Sequence, residues 1–134
     1  MLEAMDHVQL RRLVDLYSYL IDERMFSRIG EVFTEDVVYD VSDFGHGVLR
    51  GIDAVVAMWR DDAYHPLAHH AVSVLADERD DGTVDLITKG IGVGAKGRVG
   101  SVTYYDRAVR GAAGWRLAER RAVLRRPETI PSPS

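Results

Sequence analysis

Apolar residues fall at Leu10, Leu13, Val14, Tyr17, Leu20 and Ile21, spaced three and four apart. That spacing lines one face of a helix and predicts an amphipathic helix over residues 7–22. Asp6, with Gln9 three residues on, resembles a capping box at its start. Met25, Phe26, Ile29 and Phe33 mark a second, shorter helix over Met25–Val32. The β-branched and aromatic run "DVVYDV" (36–41) predicts a strand. "SDFGHGVLRG" reads as a loop because of its glycines, and Asp53 opens a third helix that buries Ile52, Val55, Val56 and Trp59.

The pattern changes at residue 69. Four β-like segments follow, 69–77, 83–93, 98–110 and 114–125, joined by the short glycine-containing turns "DDG", "GAKG" and "GAAG". Helices in a run followed by strands in a run predict an α+β fold. A strongly twisted sheet curls, and helices laid across its concave side enclose a cavity. Strand alternation puts His69 on one face with Ala71, Ser73 and Leu75, and His70 on the other with Val72, Val74 and Ala76. In 114–125 it groups Trp115, Leu117, Glu119, Arg121 and Val123 against Arg116, Ala118, Arg120, Ala122 and Leu124. An outer face carrying Val102, Val109 and Val123 predicts a homodimer through the sheet. Trp115, after the Gly114 turn, is expected to pack at the sheet rim and not to form a substrate platform. Residues 1–126 read as one domain, and 127–134, with three of the four prolines, as a flexible tail.

Composition narrows the chemistry. The 134 residues are 46% hydrophobic and 28% charged, with a net charge of −4 and no cysteine. The acidic balance argues against nucleic acid as a partner. Without cysteine there is no thiol nucleophile, disulfide or thiolate metal site. The N-terminus lacks the basic start and apolar run of a signal peptide, and no apolar run approaches the ~18 residues of a membrane span. A soluble cytoplasmic protein is expected. "GIGVGAKG" (90–97) has glycines but no helix to follow, so no dinucleotide cofactor is expected. In "HPLAHH" (65–70), His65 and His69 would share a face only on a helix, and Pro66 sits between them, so no metal site is expected.

Candidate chemistry centres on His69. Its strand neighbours are small or polar and leave room for a ligand, whereas His70 sits among valines. Asp22 closes the first helix beside its apolar face, at the dipole end that disfavours an acid. An acid placed against a local rule marks a candidate site. An aspartate against His69 would fix its tautomer and stabilise the imidazolium formed on taking a proton.

These residues lie within a longer pattern. "YSYLIDERMFSRIGEVFTEDVVYDV", "GHGVLRGIDAVVAMW", His69 with Ser73 four residues on, and "TYYDRAVRGAAGWRLAER" together resemble the SnoaL-like branch of the nuclear-transport-factor-2-like, or cystatin-like cone, superfamily. The resemblance spans about residues 5 to 125. It implies a cone of curved, mixed, mostly antiparallel sheet with three helices from the N-terminal half packed on it, often dimeric. It also implies an Asp–His dyad at Asp22 and His69, a pocket arginine at Arg120 and, more loosely, a pocket tyrosine at Tyr17. Ser73 stands where an asparagine is common. The aspartate bases of other branches have only Asp40 and Asp106 as candidate counterparts.

The function expected on this reading is a cofactor-independent dehydratase, isomerase or cyclase. It would act on a small hydrophobic cyclic or polyketide-like molecule. His69 would be the base and Asp22 its partner, with Tyr17, Tyr19, Met58, Trp59 and Arg120 binding substrate. Two alternatives stay open: a non-catalytic ligand-binding or protein-interaction module, and a small subunit of an oxygenase. Catalysis requires Asp22 and His69 within hydrogen-bond reach inside a closed pocket; a carrier would hold them apart.

Overall fold

Leu10, Leu13, Val14, Tyr17, Leu20 and Ile21 are all buried along α1 (Ala4–Asp22) in the computed structural model, which describes residues 1–62 and 65–134. The helix starts three residues earlier than the sequence pattern predicts. Asp6 is not its cap: it sits within the first turn, and its Oδ2 accepts the Glu3 N–H at 2.9 Å. At the other end Arg24 takes a left-handed φ of 56°, and the Met25 N–H bonds back to the Leu20 carbonyl at 2.8 Å. This is the reversal that usually recruits glycine after a helix. It leaves Asp22 as the last helical residue.

A 3-10 helix (Phe26–Glu31) leads into β1 (Phe33–Asp40). The segment expected as loop contains a short strand, β2 (Val48–Arg50), before α2 (Ile52–Asp61). β3 (Ala68–Glu78), β4 (Val84–Val93), β5 (Val99–Gly111) and β6 (Gly114–Leu124) form the expected meander. The six strands make one open sheet in the order β2-β1-β6-β5-β4-β3. Among the described residues only the β1–β6 pairing is parallel. Three helices pack on this mixed sheet, as the α+β cone requires. A 3-10 turn at Pro127–Thr129 follows β6. Among the described residues no helix is long and apolar enough to cross a membrane.

The strand faces differ from simple alternation, for one reason in two places. Ser73, at φ 57°, is an extra residue between the Val72–Lys89 and Val74–Thr88 pairs. Ala118 is an extra residue between Leu117, paired with Ala108, and Glu119, paired with Arg107. Each bulge shifts the following side chains to the other face. Val74 and Ala76 therefore pack on the core from the same side as Ala71, while Ser73 and Leu75 are exposed. On β6, Trp115 and Leu117 are buried before the bulge, and Arg120 and Ala122 after it.

Aromatic rings fill the centre. Tyr17, Phe33, Tyr39 and Trp59 lie with centroids 5.8 to 6.4 Å apart, and Phe26 stacks on Trp59 at 5.7 Å. Trp115 is buried, and its Nε1–H reaches Asp6 Oδ1 at 3.1 Å. It packs at the start of β6, at one end of the sheet and outside the cavity lining, as expected for a rim residue. Val102, expected on an outer face, is buried.

Candidate active site

A cavity of about 600 Å³ opens between the helices and the concave sheet face. Tyr17 of α1, Tyr39 of β1, Met58 and Trp59 of α2, His69 of β3, Val102 and Tyr104 of β5, and Ala122 and Leu124 of β6 line it. His46, Asp62 and His65 stand on the same wall. The lining is largely apolar and aromatic with a few polar groups, which suits a small hydrophobic ligand.

His69 meets Asp22 here. Its ring Nδ1 lies 2.6 Å from Asp22 Oδ1. The same carboxylate accepts the His69 backbone N–H, at 3.1 and 2.9 Å. The side chains are 10% and 17% exposed. The end of α1 thus clasps the start of β3. With Nδ1–H donating to the carboxylate, Nε2 carries the lone pair, the form a general base needs. His70 is exposed on the opposite face.

The other expected binders divide. Tyr17, Met58 and Trp59 line the cavity. Tyr19 does not: it is 57% exposed, because two residues along a helix turn a side chain through about 200°. Arg120 is fully buried behind the cavity wall instead of lining it. Its guanidinium lies between the rings of Tyr17 and Tyr104, at 4.1 and 4.0 Å. Nε and Nη2 donate to both oxygens of Asp106, at 2.7 and 2.8 Å. Burial opposes its charge, but Asp106 outweighs that and holds the proton more firmly than usual. Asp106 is therefore committed to Arg120, and Asp40 accepts the Ser42 N–H. Neither carboxylate lines the cavity.

Tyr39 and Tyr104 were not anticipated as site residues. The Tyr39 hydroxyl shares a 2.6 Å hydrogen bond with that of Tyr17. Burial raises the proton affinity of Tyr17, Tyr39 and Tyr104. All three hydroxyls therefore stay protonated, and one of Tyr17 and Tyr39 donates its proton to the bond with the other. Tyr39 was legible only as an aromatic in a strand, with nothing local to aim it inward.

His65 is the larger surprise. Its ring lies 4.8 Å from that of His69 although no helix joins them. Gly92, opposite His69 in the sheet, leaves Pro66 room beside it. Among the described residues no group of three or more His, Cys, Asp or Glu side chains is arranged to hold a metal ion.

Comparison with known proteins agrees with this architecture. The model of the SnoaL-like domain family matches residues 2–121. No curated protein matches the chain. Among solved structures, a protein of unknown function with a cystatin-like fold from Nostoc punctiforme is 16% identical with a TM-score of 0.78, covering 94% of this chain and 96% of that one. Hexachlorocyclohexane dehydrochlorinase LinA-type3 from Novosphingobium barchaimii is 15% identical, with a TM-score of 0.73 and coverage of 91% and 90%. A Novosphingobium aromaticivorans protein provisionally named a scytalone dehydratase is 17% identical, with a TM-score of 0.69 and coverage of 87% and 82%.

Proposed function

Because this chain belongs to the SnoaL-like domain family, we propose that it is a cofactor-independent lyase or isomerase, a dehydratase, isomerase or cyclase, with His69 as general base. The observation that carries this reading is the 2.6 Å contact of Asp22 with Nδ1 of His69, a residue that lines the cavity. His69 Nε2 takes a proton from a carbon next to an activating group. Asp22 holds the ring in the useful tautomer and stabilises the imidazolium that forms. Of the neutral phenols Tyr17 and Tyr39, the one that accepts in the bond they share keeps its own O–H free to donate to the oxygen on which charge develops. Arg120 acts through them, its charge packed against the Tyr17 ring. The substrate is a small hydrophobic cyclic or polyketide-like molecule, in keeping with the aromatic lining. Two neighbours bear names for elimination of water or hydrogen chloride, and a base-catalysed elimination is the chemistry those names share.

The test is solvent deuterium exchange. Cyclic hydroxyketones and phenolic polyketides are incubated with the protein in D2O and followed by mass spectrometry. Deuterium uptake or loss of water that depends on His69 supports the proposal. Binding with neither, unchanged in His69→Ala, favours the ligand carrier.

The working form is proposed to be a homodimer. Val72, Leu75, Ile91 and Tyr105 stand exposed on the outer sheet face, among charged side chains that could pair across an interface. Light scattering should give twice the chain mass of 15.0 kDa. A monomer at micromolar concentration would refute it.

A further inference from the structure

The cavity wall holds a second aspartate–histidine pair for which the Asp22–His69 base has no use. His65 Nδ1 lies 3.6 Å from Asp62 Oδ2, and the same oxygen lies 3.5 Å from His46 Nε2. His65 and His69 thus both turn Nδ1 toward an aspartate, with their rings 4.8 Å apart and tilted by 40°. His65 Nε2 is buried and has no hydrogen-bond partner among the described residues. One nitrogen faces a carboxylate at ion-pair distance and the other is left without a partner, as a general acid requires.

We propose that Asp62–His65 is a second acid–base pair, and that it adapts the cavity to a leaving group that must be protonated, water and not halide. The proposal rests on His69 being the base. Chloride departs as a stable anion, whereas hydroxide is too basic to leave unassisted. In the step, the C–H proton passes to His69 Nε2 and its electron pair becomes the new C=C bond. The C–O bond breaks, and the oxygen takes a proton from His65 Nε2, so water departs. His69 is then charged and His65 neutral. Transfer between the two rings, or exchange with solvent, restores the starting state.

The charges around His65 fit this role. Burial and the neighbouring His69 hold its proton affinity below that of an ordinary histidine, against the pull of Asp62 and Asp22. Its imidazolium is correspondingly a stronger acid. His46 faces it across Asp62. Two rings this close disfavour double protonation, which suits a step that starts with only one of them charged.

The experiment uses an aryl β-hydroxy ketone and its β-chloro analogue, which yield the same enone. In His65→Asn the ratio of the hydroxy to the chloro rate should fall by at least about tenfold, at the low end of what acid catalysis supplies. Equal losses on both ketones, or none, would overturn the second pair. His69→Ala should lower both rates; if it lowers neither, the base itself is misassigned, whatever His65 does. Ring nitrogen NMR gives a check that needs no substrate. His69→Gln should raise the titration midpoint of His65, and an unmoved midpoint also overturns the proposal.

Discussion

Asp22 accepts the His69 backbone N–H with both oxygens and faces the ring with one, so it joins α1 to β3 as well as contacting the ring of the proposed base. Replacing it therefore affects stability and chemistry together. Asp22→Asn should lower stability by about 1–3 kcal/mol, the range for a charged hydrogen bond in a part-buried site. Base-catalysed turnover should fall more than about tenfold, as an amide cannot neutralise the imidazolium. Denaturant melts and rate assays on the same sample check both; a loss in the melt with unchanged turnover would leave Asp22 a structural clasp only. The dyad was legible because two local rules met: strand alternation separated His69 from His70, and an acid stood at the wrong end of a helix dipole. Its backbone role was not legible, since no side-chain pattern records where an N–H points. Arg120 was visible as an inward residue on the last strand, but only the packing of Tyr17 and Tyr104 decides that it stops short of the cavity.

Bulges govern the elements. Helical periodicity named every buried residue of α1 except Asp6, because nothing interrupts a period of 3.6. The strands were harder: one extra residue, Ser73 or Ala118, reverses all alternation beyond it, and neither carries a glycine or proline to mark it. His69 kept its assignment because it precedes the bulge. The glycines of "GIGVG" also gain a meaning. A Cβ on Gly90 would lie 2.8 Å from the Tyr104 ring and 2.9 Å from Val102. Both neighbours wall the cavity, so Gly90 lets the Tyr104 ring approach β4 closely. Gly90→Ala should cost about 1–3 kcal/mol through overpacking and should displace Tyr104. A thermal melt within error of the wild type would contradict this.

At the scale of the whole molecule, Asp6 fastens the start of α1 to the far end of the sheet. Its carboxylate takes hydrogen bonds from the Glu3 N–H, Arg110 and Trp115, which lower its pKa to about 2. The folded state thus binds this proton less readily than the unfolded chain, whose aspartate titrates near 3.8. The stabilisation is complete above that value and is lost as pH falls from about 4 toward 2. Asp6→Asn should be less stable at neutral pH and show a smaller drop in melting temperature across that acid window; equal drops would rule out Asp6 as a source of acid sensitivity. The cavity of the open cone bears on one proposal, that His69 removes a proton from carbon. The most direct measurement is elimination of nitrobenzisoxazole, whose C–H loss to any well-placed base breaks its N–O bond and releases a coloured phenolate. Wild-type protein should accelerate it above buffer. His69→Ala should fall by about 10²-fold or more, and His70→Ala should match the wild type. A rate that survives in His69→Ala, or falls instead in His70→Ala, would contradict the account.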